Sequence, residues 1–165
     1  MKKQIVLREP VPEDGLAVYE LIKACPPLDL NSSYHYLIMC THFSQTSVIC
    51  DTGEGIRGFI SGYIHPRKRD TLFVWQVAVD ERVRGRGMGT DMLMNILKRA
   101  CMRNVRFFET TVTPSNIPSR TLFHRAAERL DTQCVESPMF TCLHFGGTEH
   151  EQEDLLRIGP FILNK

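Results

Sequence analysis

The sequence predicts a mixed α/β domain built around one central sheet, and three observations carry that expectation. The chain has 165 residues, enough to enclose one core and too few for two comfortable ones, so residues 1–165 are read as a single domain. The run TLFVWQVAV (71–79) has the β-branched and aromatic content of a strand, whereas Met92, Leu93, Ile96, Leu97 and Ala100 recur at helical spacing. Segments of the two kinds follow one another in the order β-α-α-β-β-β-α-β-α-β-β, without repeat or linker, as expected for helices packed on a mixed sheet.

Taken in order, Gln4 to Arg8 reads as a short first strand. Pro12-Glu13-Asp14 opens a helix with acidic residues in its first turn and an apolar stripe of Leu16, Val18, Leu21 and Ile22, ended by Pro26-Pro27. Asn31, Ser32 or Ser33 can cap a second helix running to about Phe43. Thr46 to Asp51 is a strand, TGEG a turn, and Ile56 to Ile64 the returning hairpin partner. After the charged tract HPRKRD comes the longest β-like run, Asp70 to Asp80. Thr90 to Met102 is helical, Val105 to Thr113 is a strand, and Ser115 to about Ala127 is helical with Leu122, Phe123 and Ala126 inward. Segments near 131–136, 139–145 and 155–163 read as short strands with loops.

Composition excludes several classes of function. Apolar residues make up 42% and charged residues 24%, an ordinary globular balance rather than that of a disordered chain. The net charge of +1 leaves no broad footprint for nucleic acid or anionic lipid, so any positive site must be local. No apolar run approaches the roughly 20 residues that span a bilayer. The N-terminus MKKQIVLREP meets Arg8, Glu9 and Pro10 too soon for a signal peptide, and a cytoplasmic protein with no membrane partner is expected. The six cysteines (25, 40, 50, 101, 134 and 142) show no CxxC and no tight Cys/His pair, so no metal is expected and reduced thiols in apolar surroundings are.

The most informative stretch is VWQVAVDERVRGRGMGTDML (74–93), where a strand gives way to a helix across Gly85, Gly87 and Gly89 with Arg82, Arg84 and Arg86 interleaved. A helix N-terminus presents unpaired N–H groups and partial positive charge, glycines let an anion approach the backbone, and arginines attract it. Glycine spacing alone leaves two readings open, a pyrophosphate-binding loop over Arg84–Gly89 and a glycine-rich turn with solvated charges. A Walker loop needs Gly-Lys-Ser/Thr, and Gly89-Thr90 lacks the lysine. A dinucleotide fingerprint wants Gly-x-Gly-x-x-Gly near the start of a parallel unit, whereas these glycines alternate and lie after three strands.

Arg84-Gly85-Arg86-Gly87-Met88-Gly89 resembles the Arg-x-x-Gly-x-Gly/Ala signature of the GCN5-related N-acetyltransferases, placed as in that family between a strand ending VAV and a helix. The resemblance extends to the order of elements over nearly the whole chain. It implies the acetyltransferase fold, a mixed central sheet flanked by helices, with acetyl-CoA as co-substrate. It also implies that the backbone of Arg84, Gly85, Arg86, Gly87, Met88 and Gly89 holds the pyrophosphate and that Val77 and Val79 flank the pantetheine arm. There a strand amide would polarise the thioester carbonyl. Asn116, in TPSNIPSRTLF, falls where the family often places a coenzyme-binding asparagine. One departure stands out: many members carry a tyrosine as general acid where this chain has Phe123, which cannot donate a proton.

Four stretches, LDLNSSYHYLIMCTHF (28–43), TLFVWQVAV, ETTVTPSN (109–116) and HFGGTEHEQEDLLRIGPF (144–161), resemble the branch of the family that acetylates the γ-amine of L-2,4-diaminobutyrate in ectoine biosynthesis, an osmotic-stress pathway. That resemblance implies a small-molecule substrate and a homodimer, with the apolar run IGPFIL as one contributor to its interface. A polyamine or aminoglycoside acetyltransferase is the alternative, and a CoA-binding module without turnover is the reading the Phe123 departure favours. An alkyl ammonium has a pKa near 10, so only about one molecule in a thousand is neutral at pH 7 and the attacking amine must shed a proton. Asp29, Glu109 and Glu153 are the candidate acids. Glu109, on the strand after the coenzyme helix, is placed as the base or as the group that orients the amine; an ordinary strand-end charge is the other reading. Thr111 shares its face of the strand and can donate to substrate. Trp75 reads either as a wall for the alkyl chain or as a core residue, Asp29 either as a substrate ligand or as a helix cap. His150 and Glu153 read either as one face of a loop closing on the substrate or as a solvated acidic loop. His42 reads as structural. Direct transfer in a ternary complex is expected, because no motif supports an acetyl-cysteine.

Overall fold

In the computed structural model, which describes residues 5–147 and 149–163, the predicted order of elements is realised. It runs β1 (Val6–Arg8), α1 (Gly15–Lys23), α2 (Ser33–His42), β2 (Val48–Asp51), β3 (Ile56–Ile64), β4 (Thr71–Val79), α3 (Met88–Leu97), β5 (Phe107–Val112), α4 (Ile117–Arg129), β6 (Cys134–Phe140) and β7 (Glu153–Ile158). The seven strands form one sheet in the order β1-β2-β3-β4-β5-β7-β6. β5 lies parallel to β4, as a strand returning through a crossover helix must, and β7 inserts antiparallel between β5 and β6, leaving β6 at the edge. The register of β4 with β5 runs Thr71↔Phe107, Leu72↔Phe108 and Phe73↔Glu109, and β4 itself continues to Val79.

The framework comprises two compact units. The first holds the residues up to Tyr63 together with Val74–Arg103. Its core sets Val18, Leu21 and Ile22 of α1 and Tyr36, Met39 and Cys40 of α2 against Ile49, Phe59 and Ala78 of the sheet. Met92, Leu93, Ile96 and Leu97 form the buried stripe of α3 that helical spacing predicted, whereas Ala100, expected to continue it, is exposed in the turn beyond the helix. Gly58 admits this helix to the strand, since a Cβ there would stand 2.8 Å from Met92 Sδ. Of the three candidate caps for α2, Ser32 serves, its hydroxyl accepting from the His35 amide at 3.2 Å.

The second unit holds Ile64–Phe73 and the residues from Asn104 onward. Phe108 of β5 packs on Phe123 of α4 and on Phe161, with ring centroids 6.0 and 6.2 Å apart, above buried Leu156 and Ile158 of β7. Phe123 is therefore a core residue, 2% exposed. Phe108→Ala is expected to cost about 3–5 kcal/mol, the price of an unrefilled aromatic cavity, read as a lower midpoint in urea. Loss of under about 1 kcal/mol would mean that this cluster does not carry the unit.

Several boundaries differ from expectation. α3 begins at Met88 and gives way after Leu97 to a 3₁₀ turn at Ala100–Met102, and a similar turn at Ser44–Thr46 delays β2 to Val48. The segment 139–145 is not a separate strand. β6 runs to Phe140, and the chain then turns through Cys142–Phe145, closed by Gly146 at φ 85°. The last strand stops at Ile158, because Gly159 presses on Arg106 O, where a Cβ would stand at 2.5 Å, and Pro160 has no N–H for the ladder. Gln4 lies outside the described residues. Cys25, Cys40 and Cys50 are buried as expected, with burial pushing the Cys40 thiol up to about 12, whereas Cys101 is exposed and Cys134 and Cys142 are half-buried. Among the described residues no helix is long and apolar enough to cross a membrane.

Candidate active site

Where β4 ends, the chain turns through two left-handed glycines into α3. Asp80 caps a short turn by accepting from the Arg82 amide at 2.9 Å, and its carboxylate also receives the Arg82 guanidinium at 3.0 and 3.1 Å and Arg57 at 3.3 Å. Burial would raise the Asp80 carboxyl, but these donors outweigh it and hold the group below its ordinary range. Arg84 folds back to donate from Nε to Val79 O at 2.5 Å. Two of the three arginines thus shape the turn, while Arg86 stands exposed. Gly85 (φ 77°) and Gly87 (φ 76°) take the left-handed backbone that L side chains resist, and the space where a Cβ would stand is open at both. Gly87 caps α3, whose first i to i−4 bond is Asp91 N to Gly87 O at 2.9 Å. The amides of Met88, Gly89 and Thr90 precede that bond, in the turn where helix geometry supplies no acceptor. An open left-handed turn leading into those amides suits a polyanion such as a pyrophosphate.

Along β4, Val74, Gln76 and Ala78 are buried, while Trp75, Val77 and Val79 point to the more open face. Trp75 is 49% exposed, so the core reading of the single tryptophan is overturned; its ring meets His35 at 4.9 Å and Tyr63 at 6.4 Å. Burial lowers the His35 imidazole below its ordinary value, so it is neutral at pH 7. Behind this aromatic group, Gln76 Nε2 donates to the Asp29 carbonyl at 2.8 Å, Tyr36 Oη donates to Gln76 Oε1 at 3.3 Å, and the Asn31 amide donates to Tyr36 Oη at 3.2 Å. Two buried side chains thereby pin the backbone of residues 29–31 and leave Asp29 exposed ahead of α2, not as its cap. Gln76, Tyr36 and His35 escaped the sequence reading. The signal for Gln76 was its place, a polar residue at an inward position of an alternating strand.

In the second unit, β5 and β7 present a polar face. Glu109 stands opposite Arg157 and Thr111 opposite Leu155, so by alternation Glu109, Thr111, Arg157 and Glu153 share one side of the ladder. Three of the predicted residues therefore fall on one surface. Glu109 is 3% exposed, and its Oε1 accepts from Lys68 Nζ at 2.9 Å and from the Arg157 guanidinium, which lies 3.8 Å over the Phe107 ring. Burial would raise the Glu109 carboxyl, but the two cations outweigh it and hold it below the usual carboxylate range. Such a carboxylate is a weak proton acceptor and a firm anchor for a cation. Sequence reasoning missed Lys68 and Arg157. His150 lies ahead of β7 rather than on it, stacked on Phe145 at 3.9 Å with Nδ1 2.6 Å from Glu151 O. Asn116 caps α4, its side-chain oxygen accepting from the Ser119 amide at 3.2 Å.

The acetyltransferase (GNAT) family profile matches residues 16–127, and the chain belongs to that family. Within it, the chain is 50% identical over 151 residues to the L-2,4-diaminobutyric acid acetyltransferase of Virgibacillus pantothenticus, covering 92% of this chain and 95% of the relative. It is 45% identical over 161 residues to that of Chromohalobacter salexigens, covering 97% of this chain and 83% of the relative. Among solved structures, the diaminobutyrate acetyltransferase EctA from Paenibacillus lautus, in complex with its substrate L-2,4-diaminobutyric acid and coenzyme A, is 40% identical with a TM-score of 0.92 over 99% of both chains.

Proposed function

We propose that this chain transfers the acetyl group of acetyl-CoA to the γ-amine of L-2,4-diaminobutyrate, giving Nγ-acetyl-L-2,4-diaminobutyrate on the way to ectoine. The observation that carries the proposal is the full-length match to the diaminobutyrate acetyltransferases, and the open left-handed Gly85–Gly87 turn supports it. When bound, acetyl-CoA supplies an acyl group already activated as a thioester. The chain's part is to hold and orient. The backbone of Arg84–Gly89 takes the pyrophosphate, Arg86 adds charge, Val77 and Val79 line the pantetheine arm, and the side-chain Nδ2 of Asn116 is left to donate because its Oδ1 serves the cap.

On the amine side, we propose Asp29 and Glu153 as acids for the ammonium groups, Thr111 as a hydroxyl donor, His150 as a polar contact and Trp75 as the wall for the short alkyl chain. Of the two roles open to Glu109, its paired and ionised state favours orienting the γ-amine over accepting its proton. Phe123, sealed in the core, provides no proton, and a thiol with a pKa of about 8.5 leaves without a dedicated acid.

Release of free CoA thiol with diaminobutyrate, ornithine, lysine, spermidine and an aminoglycoside at matched concentrations tests the reading. Strong preference for diaminobutyrate, with acetate on the γ-nitrogen, is expected; preference for another amine would discard the substrate and keep the fold. Gln76→Leu should raise the KM for diaminobutyrate about tenfold by releasing residues 29–31, one well-placed hydrogen bond being worth about 1 kcal/mol or more in a buried setting, and leave the affinity for CoA unchanged. A rise in both constants would make Gln76 a general packing residue.

The reading includes a homodimer in the cytoplasm. The edge strand β6 exposes Val135, Met139 and Phe140 beside Leu143, an apolar edge of the kind that a second copy covers. In the C-terminal run, Phe161 is buried and Ile162 is 84% exposed, so only the latter is available to such an interface. Light scattering should give twice the 18.9 kDa chain mass, and Val135→Lys should reduce it to one chain.

A further inference from the structure

α4 and β6 bring together three side chains for which the sequence offers no recognisable ligand spacing. His124 on α4, and Cys134 and Glu136 two residues apart on one face of β6, put a ring nitrogen, a sulfur and a carboxylate oxygen within 4.8 Å of one another. His124 Nε2 lies 2.7 Å from Glu136 Oε1, while Arg120 bonds the other carboxylate oxygen of Glu136 and also reaches Asp154 at 3.3 Å. We propose that His124, Cys134 and Glu136 form a binding site for one borderline-soft divalent transition-metal ion, typified by Zn²⁺, with water completing a tetrahedral shell.

The donor set is imidazole, thiolate and carboxylate, a combination matched to zinc and cobalt and ill suited to magnesium or calcium. Metal–ligand bonds of about 2.0–2.3 Å put tetrahedral donors roughly 3.3–3.8 Å apart. The present separations bracket that spacing, from 2.7 Å between His124 and Glu136 to the 4.8 Å limit of the group. The His124 side chain is 49% exposed and can swing outward to open the short edge. An ion at Oε1 leaves the Arg120 contact at Oε2 in place, and the thiolate and carboxylate together outweigh that one guanidinium. A His–Glu–Arg surface network alone would account for His124 and Glu136, but it gives no part to the Cys134 sulfur at the same point. On binding, the thiol proton passes to solvent, the neutral imidazole donates its lone pair, and nothing is oxidised or reduced. The ion would clip α4 to the edge strand.

The test uses the full chain under reducing conditions with Co²⁺ as probe and Zn²⁺ as competitor. Expected is thiolate-to-cobalt charge-transfer absorption saturating at one ion per chain and displaced by Zn²⁺. Cys134→Ser and His124→Ala should each weaken binding at least about tenfold, since even outer-shell changes cost that much. Cys101→Ser and Cys142→Ser, which remove the other thiols not fully buried, should leave it intact. Zn²⁺ should raise the thermal midpoint of the unmodified chain and of those two variants only. Absence of the absorption, or its survival in Cys134→Ser, overturns the site. His124→Ala, at a half-exposed position, decides the matter if the serine variant fails to fold. Because the readout is metal binding rather than turnover, the result is independent of the acetyl-transfer reading.

Discussion

Gly87→Glu should lose at least two orders of magnitude in affinity for CoA while the protein stays folded. Gly87 sits at φ 76°, where an L side chain costs about 1–2 kcal/mol, so the free turn of the variant relaxes and coenzyme binding must restore the left-handed backbone. The carboxylate would stand at the N-cap of α3, in the space read as belonging to the coenzyme's pyrophosphate, where like charges meet. The two terms together reach about 3 kcal/mol, roughly a hundredfold or more in Kd. The fold should survive because nothing lies within 4 Å of the added Cβ. Gly87→Ala separates the terms, since it carries the backbone cost without the charge and should lose about tenfold. Calorimetric titration of CoA, with a thermal melt of each variant, makes the measurement. Unchanged affinity in Gly87→Glu would remove the turn from coenzyme binding and return it to a simple glycine-rich bend.

Glu109→Gln should lower kcat/KM for diaminobutyrate by about a hundredfold, the scale of a lost charged contact near 3 kcal/mol, with CoA affinity unchanged. The amide keeps the shape of the side chain but no longer neutralises Lys68 and Arg157. Both cations are partly exposed, at 46% and 30%, so Lys68 can return to water and the loss of stability is smaller than for a fully buried pair. The pH dependence decides the role. A carboxyl whose pKa is depressed in the folded protein contributes stability above its unfolded value, and that stability is lost as pH falls through the lower folded value. Glu109 is therefore ionised throughout the neutral range, and the acidic limb of the activity profile should stay in place in Glu109→Gln. If the limb vanished in the variant, Glu109 would be the titrating base and the orienting role would fall.

Elements governed by local rules were legible in the sequence. β3 spans Ile56–Ile64 as expected of a hairpin partner after the TGEG turn, and Ser32 was among the residues expected to cap α2. Gly85 and Gly87 stand in left-handed backbone at a strand-to-helix junction because few other residues tolerate it there. Legibility failed where a short apolar run fits two geometries, as at 139–145, and where a stop depends on a distant atom, as at Gly159 against Arg106 O. Within the polar faces, alternation put Glu109 and Thr111 together and could not name what meets them.

From the sequence alone come the class of fold, the order of its elements and the left-handed glycine turn, because helical and strand periods, caps and positive φ are set within a few residues. The family came from the resemblance carried by the Arg84–Gly89 motif. Only the tertiary structure decides which charges meet. Lys68 and Glu109 are separated by 41 positions, Glu109 and Arg157 by 48, and Gln76 and Asp29 by 47. Periodicity says which way each side chain faces, but its partner is chosen by sheet order and by the return path of the chain. Burial and those partners in turn set the charge state of Glu109, the pinning of residues 29–31 and the exposure of Trp75.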